Sequence, residues 1–339
     1  MGVLVKRLVI GLGCLVTGLV LGGLICETIV RQQVSQQYPA MGKLVDIGGR
    51  RIQLDCRGTG SPTVVLEAGL GYLGSLSWSA VQDSIAKTTR VCSYSRAGIM
   101  WSDPAPGDFN SQRTAQDLHN ALMNAGEQTP WVMVGHSMGG LHVMIFNSLY
   151  ESEIAGFVFV DASHPEQNDR FRKIMGNATD DEPKIAKIPP FLADIAARIG
   201  IVRLLPLGLA PPGNAPSFVA KTANAYFPQT AASNLQAVRS FNTVLKDAKN
   251  LRTLGDRPLI VLTARQKANP EELKKAGISE EKDRAFQTVW EELHNDQATW
   301  SSRSRHEFIE SSHNIQFDRP EVVIKAVNEV IAIARKKLL

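Results

Sequence analysis

The sequence predicts an α/β protein: a mostly parallel sheet opened by an N-terminal antiparallel hairpin, with helices on both faces and an inserted helical cap. Three observations carry that expectation. Short apolar runs ending at glycine or aspartate alternate with helix-prone stretches, the pattern of a parallel sheet. The alternation stops at His164 and restarts near Asp256. Residues 134–140, Val-Gly-His-Ser-Met-Gly-Gly, set Ser137 between glycines where a strand hands over to a helix.

A chain of 339 residues suits one large domain with an insertion. With 44% hydrophobic and 21% charged residues it has the composition of a folded protein. A net charge of +4, spread along the chain, excludes a nucleic-acid binder.

Leu8 to Cys26 is uninterrupted apolar sequence behind Lys6 and Arg7, long enough to cross a bilayer. Glu27 to Gln37 offers no well-placed small residues for cleavage, so residues 1–31 read as an uncleaved transmembrane signal-anchor with its flanks. Arg31 and Lys43 nearly balance Lys6 and Arg7, and the signal-like layout sets the N-terminus in the cytoplasm. The protein is then single-pass, with its folded domain extracytoplasmic. Gly18 and Gly22 form a G-x-x-x-G that lets two such helices approach, although glycine is common in membrane helices anyway. Cys14 lacks a lipoprotein box.

Residues 32–42 read as a polar tether. Lys43 to Gly49 and Arg51 to Cys56 then form a hairpin turned by Gly48 and Gly49. Thr63 to Gly69 is a buried strand running into a glycine-rich loop, Leu76 to Ala86 a helix, Arg90 to Tyr94 a strand and Thr114 to Asn124 a helix. Trp131 to Val134, the helix after Ser137, and the strand Gly156 to Asp161 follow. Residues 164–255, roughly 90 residues rich in proline, interrupt the alternation and read as the cap. Within them Phe191, Leu192, Ile195 and Ile199 recur at helical spacing, a stripe expected to line the pocket or pack on the core. Dipping into a membrane is the other use of such a stripe in an anchored protein. The core, 43–163 and 256–339, resumes with a strand over Arg257 to Ala264, a helix around Ala285 to Leu293, a strand Arg305 to Glu310, and a last helix from Arg319. Asp318 and Glu321 form a candidate capping pair for it.

A serine hydroxyl needs a base to take its proton, and the base needs a carboxylate to fix its tautomer. His136 adjoins Ser137 in the turn and is expected to point away; His142 lies on the next helix, and His119, His294 and His306 fall within helices or a strand. His313 instead occupies the loop after the last strand, on the edge where Ser137 projects.

Here the sequence resembles the α/β-hydrolase superfamily, through "LEAGLG", "YSRAGIMWSDP", "VGHSMGG", "VFVDASHPE" and "SSHNIQFDRPE" in that order over residues 43–336. The resemblance implies a triad running Ser, acid, His along the chain. The acid departs from the commoner pattern, because the strand ending at Ala264 is followed by "RQKANPEELKK", where only Glu271 and Glu272 are acidic and both look like helix-surface residues. Asp161 ends the preceding strand, where some members, haloalkane dehalogenases among them, carry the acid, and it is assigned the role. The resemblance further implies an oxyanion hole from the backbone N–H groups of Met138 and Leu70. Arg96, at another strand end, either binds a polar substrate group or stabilises loops. The family strand order sets Cys56 beside Cys92, as a disulfide or as two buried thiols.

The implied activity is serine-dependent hydrolysis of a carboxylic ester, small-molecule or lipid-like, through an acyl-enzyme. No metal-ligand spacing or phosphate loop is present, so no cofactor is expected. The same residues serve an acyltransferase, thioesterase or amidase, and the same fold serves ligand-binding receptors.

Overall fold

A computed structural model describes residues 2–175, 188–205, 214–266 and 269–338. The chain opens with one helix, α1 (Gly2–Gln37), of 36 residues. Of the stretch expected as a tether, 32–42, residues 32–37 are the last turns of this helix and only 38–42 connect it to the sheet. "QQVSQQ" is polar yet helix-forming, and Val30 and Val34, one turn apart, pack against Trp101, Val219 and Tyr226.

Strands β1 (Lys43–Asp46) and β2 (Arg51–Arg57) form the hairpin, with Lys43 opposite Leu54 and Asp46 opposite Arg51. Asp46 Oδ1 accepts the N–H groups of Gly48 and Gly49, both at positive φ, and so fixes the turn. Then come β3 (Thr63–Glu67), α2 (Gln82–Ala86), β4 (Val91–Tyr94), α3 (Ser111–Asn124), β5 (Trp131–His136), α4 (Met138–Tyr150) and β6 (Ile154–Val160). Between β6 and the next strand lie α5 (Gln167–Met175), α6 (Pro190–Arg198), α7 (Ile201–Leu204), α8 (Ser217–Arg239) and α9 (Phe241–Ala248). The chain ends with β7 (Leu259–Arg265), α10 (Pro270–Ala276), α11 (Glu280–Ala298), β8 (Ser304–Glu310), α12 (Ile315–Asp318) and α13 (Pro320–Leu338).

The eight strands make one sheet in the order β1-β2-β4-β3-β5-β6-β7-β8. β1 to β2 and β2 to β4 are antiparallel, and every later pairing is parallel. Alternation along β5 serves both faces. Trp131 and Met133 pack with Leu118, Leu122 and Phe146 of α3 and α4, while Val132 and Val134 pack with Ile85, Val323 and Val327 of α2 and α13. The register of β2 on β4 sets Cys56 opposite Cys92, and their sulfurs are bonded.

Three expectations change. The helix read over Leu76 to Ala86 divides into a short 3-10 turn, Gly74–Trp78, and α2, because Leu76, Trp78, Val81 and Ile85 must all reach the core. The last helix starts where expected, as α13, with α12 a separate turn before it, but Asp318 does not cap it: its Oδ2 accepts the Ser312 N–H at 3.0 Å, while Glu321 pairs with Arg319. The apolar stripe of the insertion neither lines the serine's cavity nor packs on the core. Phe191, Leu192 and Ile195 are exposed, on the side of α6 away from buried Ala197. Of the insertion's prolines, Pro183, Pro206, Pro211 and Pro212 lie outside the described residues.

Candidate active site

Ser137, Asp161 and His313 follow β5, β6 and β8, all at carboxyl ends of parallel strands, where open α/β sheets hold their sites. Ser137 sits at φ 52°, ψ −128°, a backbone that costs an L-residue on the order of 1–3 kcal/mol and lifts its side chain clear of the sheet. Its neighbours explain the glycines. A Cβ on Gly140 would stand 2.6 Å from Ala162 Cβ, and one on Gly139 would collide with the Glu67 and Ala68 carbonyl oxygens. A Cβ on Gly69 would meet Ser137 Cβ at 3.0 Å, so the loop after β3 passes directly beside the serine and brings Leu70 to it. Met138 opens α4, and its N–H is one of those a helix start leaves without an intrahelical acceptor.

His313 Nδ1 lies 2.6 Å from Asp161 Oδ2. The imidazole is 46% exposed while the carboxylate is 3% exposed, so the ring bridges a buried acid and an open cavity. Asp161 Oδ1 is occupied by two donors, Ala264 N–H at 2.9 Å and Trp290 Nε1–H at 3.0 Å. Burial alone would raise the Asp161 pKa; the bond to His313, the nearby His294 and the Ala264 N–H outweigh it, and the pKa is lowered.

Two further histidines hold this constellation. Burial and the nearness of His313 bring the His136 pKa down to about 3, so the ring is neutral, and its Nε2–H donates to the His313 carbonyl at 2.9 Å. That bond and the one from Ser312 to Asp318 fix the loop on both sides of the His313 ring. His294, whose pKa burial lowers, donates Nε2–H to Ala162 O at 2.9 Å, with Nδ1 3.9 Å from Asp161 Oδ1. His119 stacks on Tyr150, and His306 bridges Thr263 and Asn295, both away from the cavity.

Arg96 does not face the cavity. Its guanidinium bonds Glu67 Oε1 at 2.5 Å, Ala68 O at 2.6 Å and Gly69 O, so it clamps the two carbonyls that precede Leu70. Burial pushes the Glu67 carboxyl up, and Arg96 and the Tyr94 hydroxyl oppose that rise. Glu271, weighed above as a possible acid, is exposed on α10.

The cavity beside Ser137 measures about 360 Å³ and is walled by Leu70, Asp161, His313 and the aromatic rings of Phe171, Phe241, Phe286 and Trp290, with Gln167, Gln266 and Gln287 as its polar points. A larger space of about 450 Å³ lies between α1 and the insertion, away from the serine. Sequence reasoning passed over Trp290, His294 and the phenylalanines. They sit on helices distant along the chain, and a helix position reads the same whether its side chain faces the core or a site.

A sequence profile described as the alpha/beta hydrolase fold matches residues 62–320. Over 128 residues the chain is 34% identical to a protein of Hormonema carpetanum assigned as the transporter efuK, covering 35% of this chain and 18% of that one. The chain thus spans about a fifth of that relative's length. Among solved structures, a thermophilic esterase from Thermogutta terrifontis aligns with TM-score 0.55 at 19% identity, over 84% of this chain and 94% of its own. A protein of Pseudomonas aeruginosa assigned as an epoxide hydrolase aligns with TM-score 0.63 at 17% identity, over 89% and 99%. At these identities the likeness is one of fold. With the profile spanning most of the chain, and β1 to β8 in this order, the protein belongs to the α/β-hydrolase family.

Proposed function

We propose that the protein is a membrane-anchored serine hydrolase that cleaves carboxylic esters through an acyl-enzyme. The observation that carries the reading is the 2.6 Å contact between His313 Nδ1 and buried Asp161, made by a ring that shares one cavity wall with Ser137. In the proposed cycle Ser137 Oγ attacks the ester carbonyl carbon and His313 Nε2 takes its proton. Asp161, ionised, holds Nδ1–H and keeps the ring in the tautomer that can accept it. The N–H groups of Leu70 and Met138 meet the oxyanion. His313 returns its proton to the departing alkoxide; the acyl-enzyme then yields to water, which His313 deprotonates, and the acid leaves with Ser137 restored. Epoxide opening and dehalogenation by the related route need an aspartate nucleophile, and residue 137 is serine.

The helices between β6 and β7 act in this reading as a cap, and the aromatic walls of the cavity suit an apolar acyl group. Retention of α1 is supported by its contacts, since Glu27, Val30, Arg31 and Val34 pack on the folded domain. An extracytoplasmic domain is supported by the Cys56–Cys92 bond, which oxidising compartments preserve. A fluorophosphonate probe labels the protein covalently, and Ser137→Ala abolishes the labelling; labelling that survives this substitution overturns the assignment.

A further inference from the structure

Residues 2–22 of α1 are exposed all round, and then one stripe, Gly23, Glu27, Val30, Arg31 and Val34, turns inward. That stripe grips the insertion. Glu27, buried at 3% exposure, takes a bidentate contact from Arg203 of α7, 2.6 and 3.1 Å, and a third bond from Arg31 at 2.8 Å. Arg31 in turn donates to the Ala197 carbonyl of α6 at 3.0 Å. Gly23 passes so near the α6–α7 junction that a Cβ would stand 2.6 Å from Ile199 O. The membrane helix and the insertion are therefore one joined piece.

Depth follows from helix geometry. Gly23 precedes Cys26, the last residue of the apolar run, by three positions, about 4.5 Å along the axis. The α6–α7 junction thus lies level with the end of the span. Around it Phe191, Leu192, Ile195, Ile201, Leu204 and Leu205 are 44–82% exposed, with Leu204 the highest. Apolar helix faces that lie in a bilayer surface sink roughly 5–10 Å into the headgroup boundary, and the contact of Gly23 with Ile199 sets the junction that carries these side chains at that boundary. We propose that the α6–α7 face of the insertion rests in the lipid interface beside the anchor. Its partner is the bilayer surface itself. The inference rests on the anchor reading above.

The test uses the full chain with Cys14→Ser and Cys26→Ser and the Cys56–Cys92 bond intact, Ile195→Cys or Leu204→Cys carrying a bimane, and phosphatidylcholine vesicles doped with nitroxide on the headgroup, high on the acyl chain, or at its end. A control label sits at Leu149, 40% exposed at the end of α4, towards the opposite edge of the sheet. Flotation with the vesicles is scored first. Labels at Ile195 and Leu204 should then be quenched about twofold or more by the two shallow nitroxides, little by the deep one, and poorly by aqueous iodide, whereas the label at Leu149 is quenched by iodide and by none of the nitroxides. Iodide quenching at all three positions in floated protein overturns the proposal and leaves the anchor standing. Labels shielded from both iodide and nitroxide also overturn it, because another protein surface then covers the face. Failure to float refutes the anchor and the proposal together.

Discussion

Replacing Asp161 with asparagine isolates what the acid does, because the structure dictates how the amide must sit. Asp161 Oδ1 already accepts from Ala264 N–H and Trp290 Nε1–H, so the oxygen of the introduced amide has to stay there; an NH2 group in that place would face two donors. The NH2 then points at His313 Nδ1, 2.6 Å from the present Oδ2, and that nitrogen becomes an acceptor. The ring proton moves to Nε2, where the base can no longer take the Ser137 proton. Loss of the correct tautomer costs about 10⁴ in kcat, or about 5 kcal/mol of barrier. Both buried donors keep their acceptor, so unfolding free energy should change by about 1 kcal/mol or less. Turnover of a p-nitrophenyl ester and the rate of fluorophosphonate labelling should fall together, with the urea midpoint nearly unmoved. A folded Asp161→Asn protein that retains turnover within about tenfold of the parent would refute the reasoning, because a tautomer error cannot be that mild.

Arg96→Ala strands the buried Glu67 carboxyl, a loss of about 3–5 kcal/mol in urea denaturation. Arg96→Lys, which restores charge but cannot span Glu67 and two carbonyls, should recover part of the stability while kcat stays lowered through a loosened Leu70; full recovery of kcat would contradict the clamp. On acidification, folded His136 stays neutral down to about 3 whereas the unfolded ring takes a proton near 6.5. Its contribution is complete above pH 6.5 and is lost as pH falls through that window, at about 1.4 kcal/mol per unit. Asp161, whose folded pKa is also lowered, adds a loss at more acid pH, as its carboxylate protonates. Denaturation midpoints between pH 7 and pH 5 should therefore fall, and His136→Gln should flatten the slope by nearly one proton; equal slopes would remove His136 from the account.

The sheet, Ser137, Asp161 and His313 were legible because each is announced locally: a strand ending in glycine or aspartate, a serine between glycines, a histidine in a loop ahead of a helix. What escaped is set by partners remote in the chain. Trp290 reaches Asp161 across 129 positions, and nothing in the α11 sequence distinguishes it from a core tryptophan. Asp318 and Glu321 have the spacing of a helix cap, but the Ser312 N–H competes for the aspartate and wins. "QQVSQQ" looks like a linker by polarity, yet glutamine favours helix, and Val34 within it docks on the folded domain together with Val30 one turn earlier. The stripe of α6 had the right period, but period says nothing of which medium the face meets.

The grip of Glu27 on Arg203 bears on how the protein is prepared. Removing the first 38 residues to obtain a soluble protein strips Val34 from the wall formed by Trp101, Val219 and Tyr226, and leaves the Arg203 guanidinium without its counter-charge. A version trimmed at residue 22 sheds all but the last four residues of the apolar segment while sparing every one of those contacts. That is where a detergent-free preparation should begin.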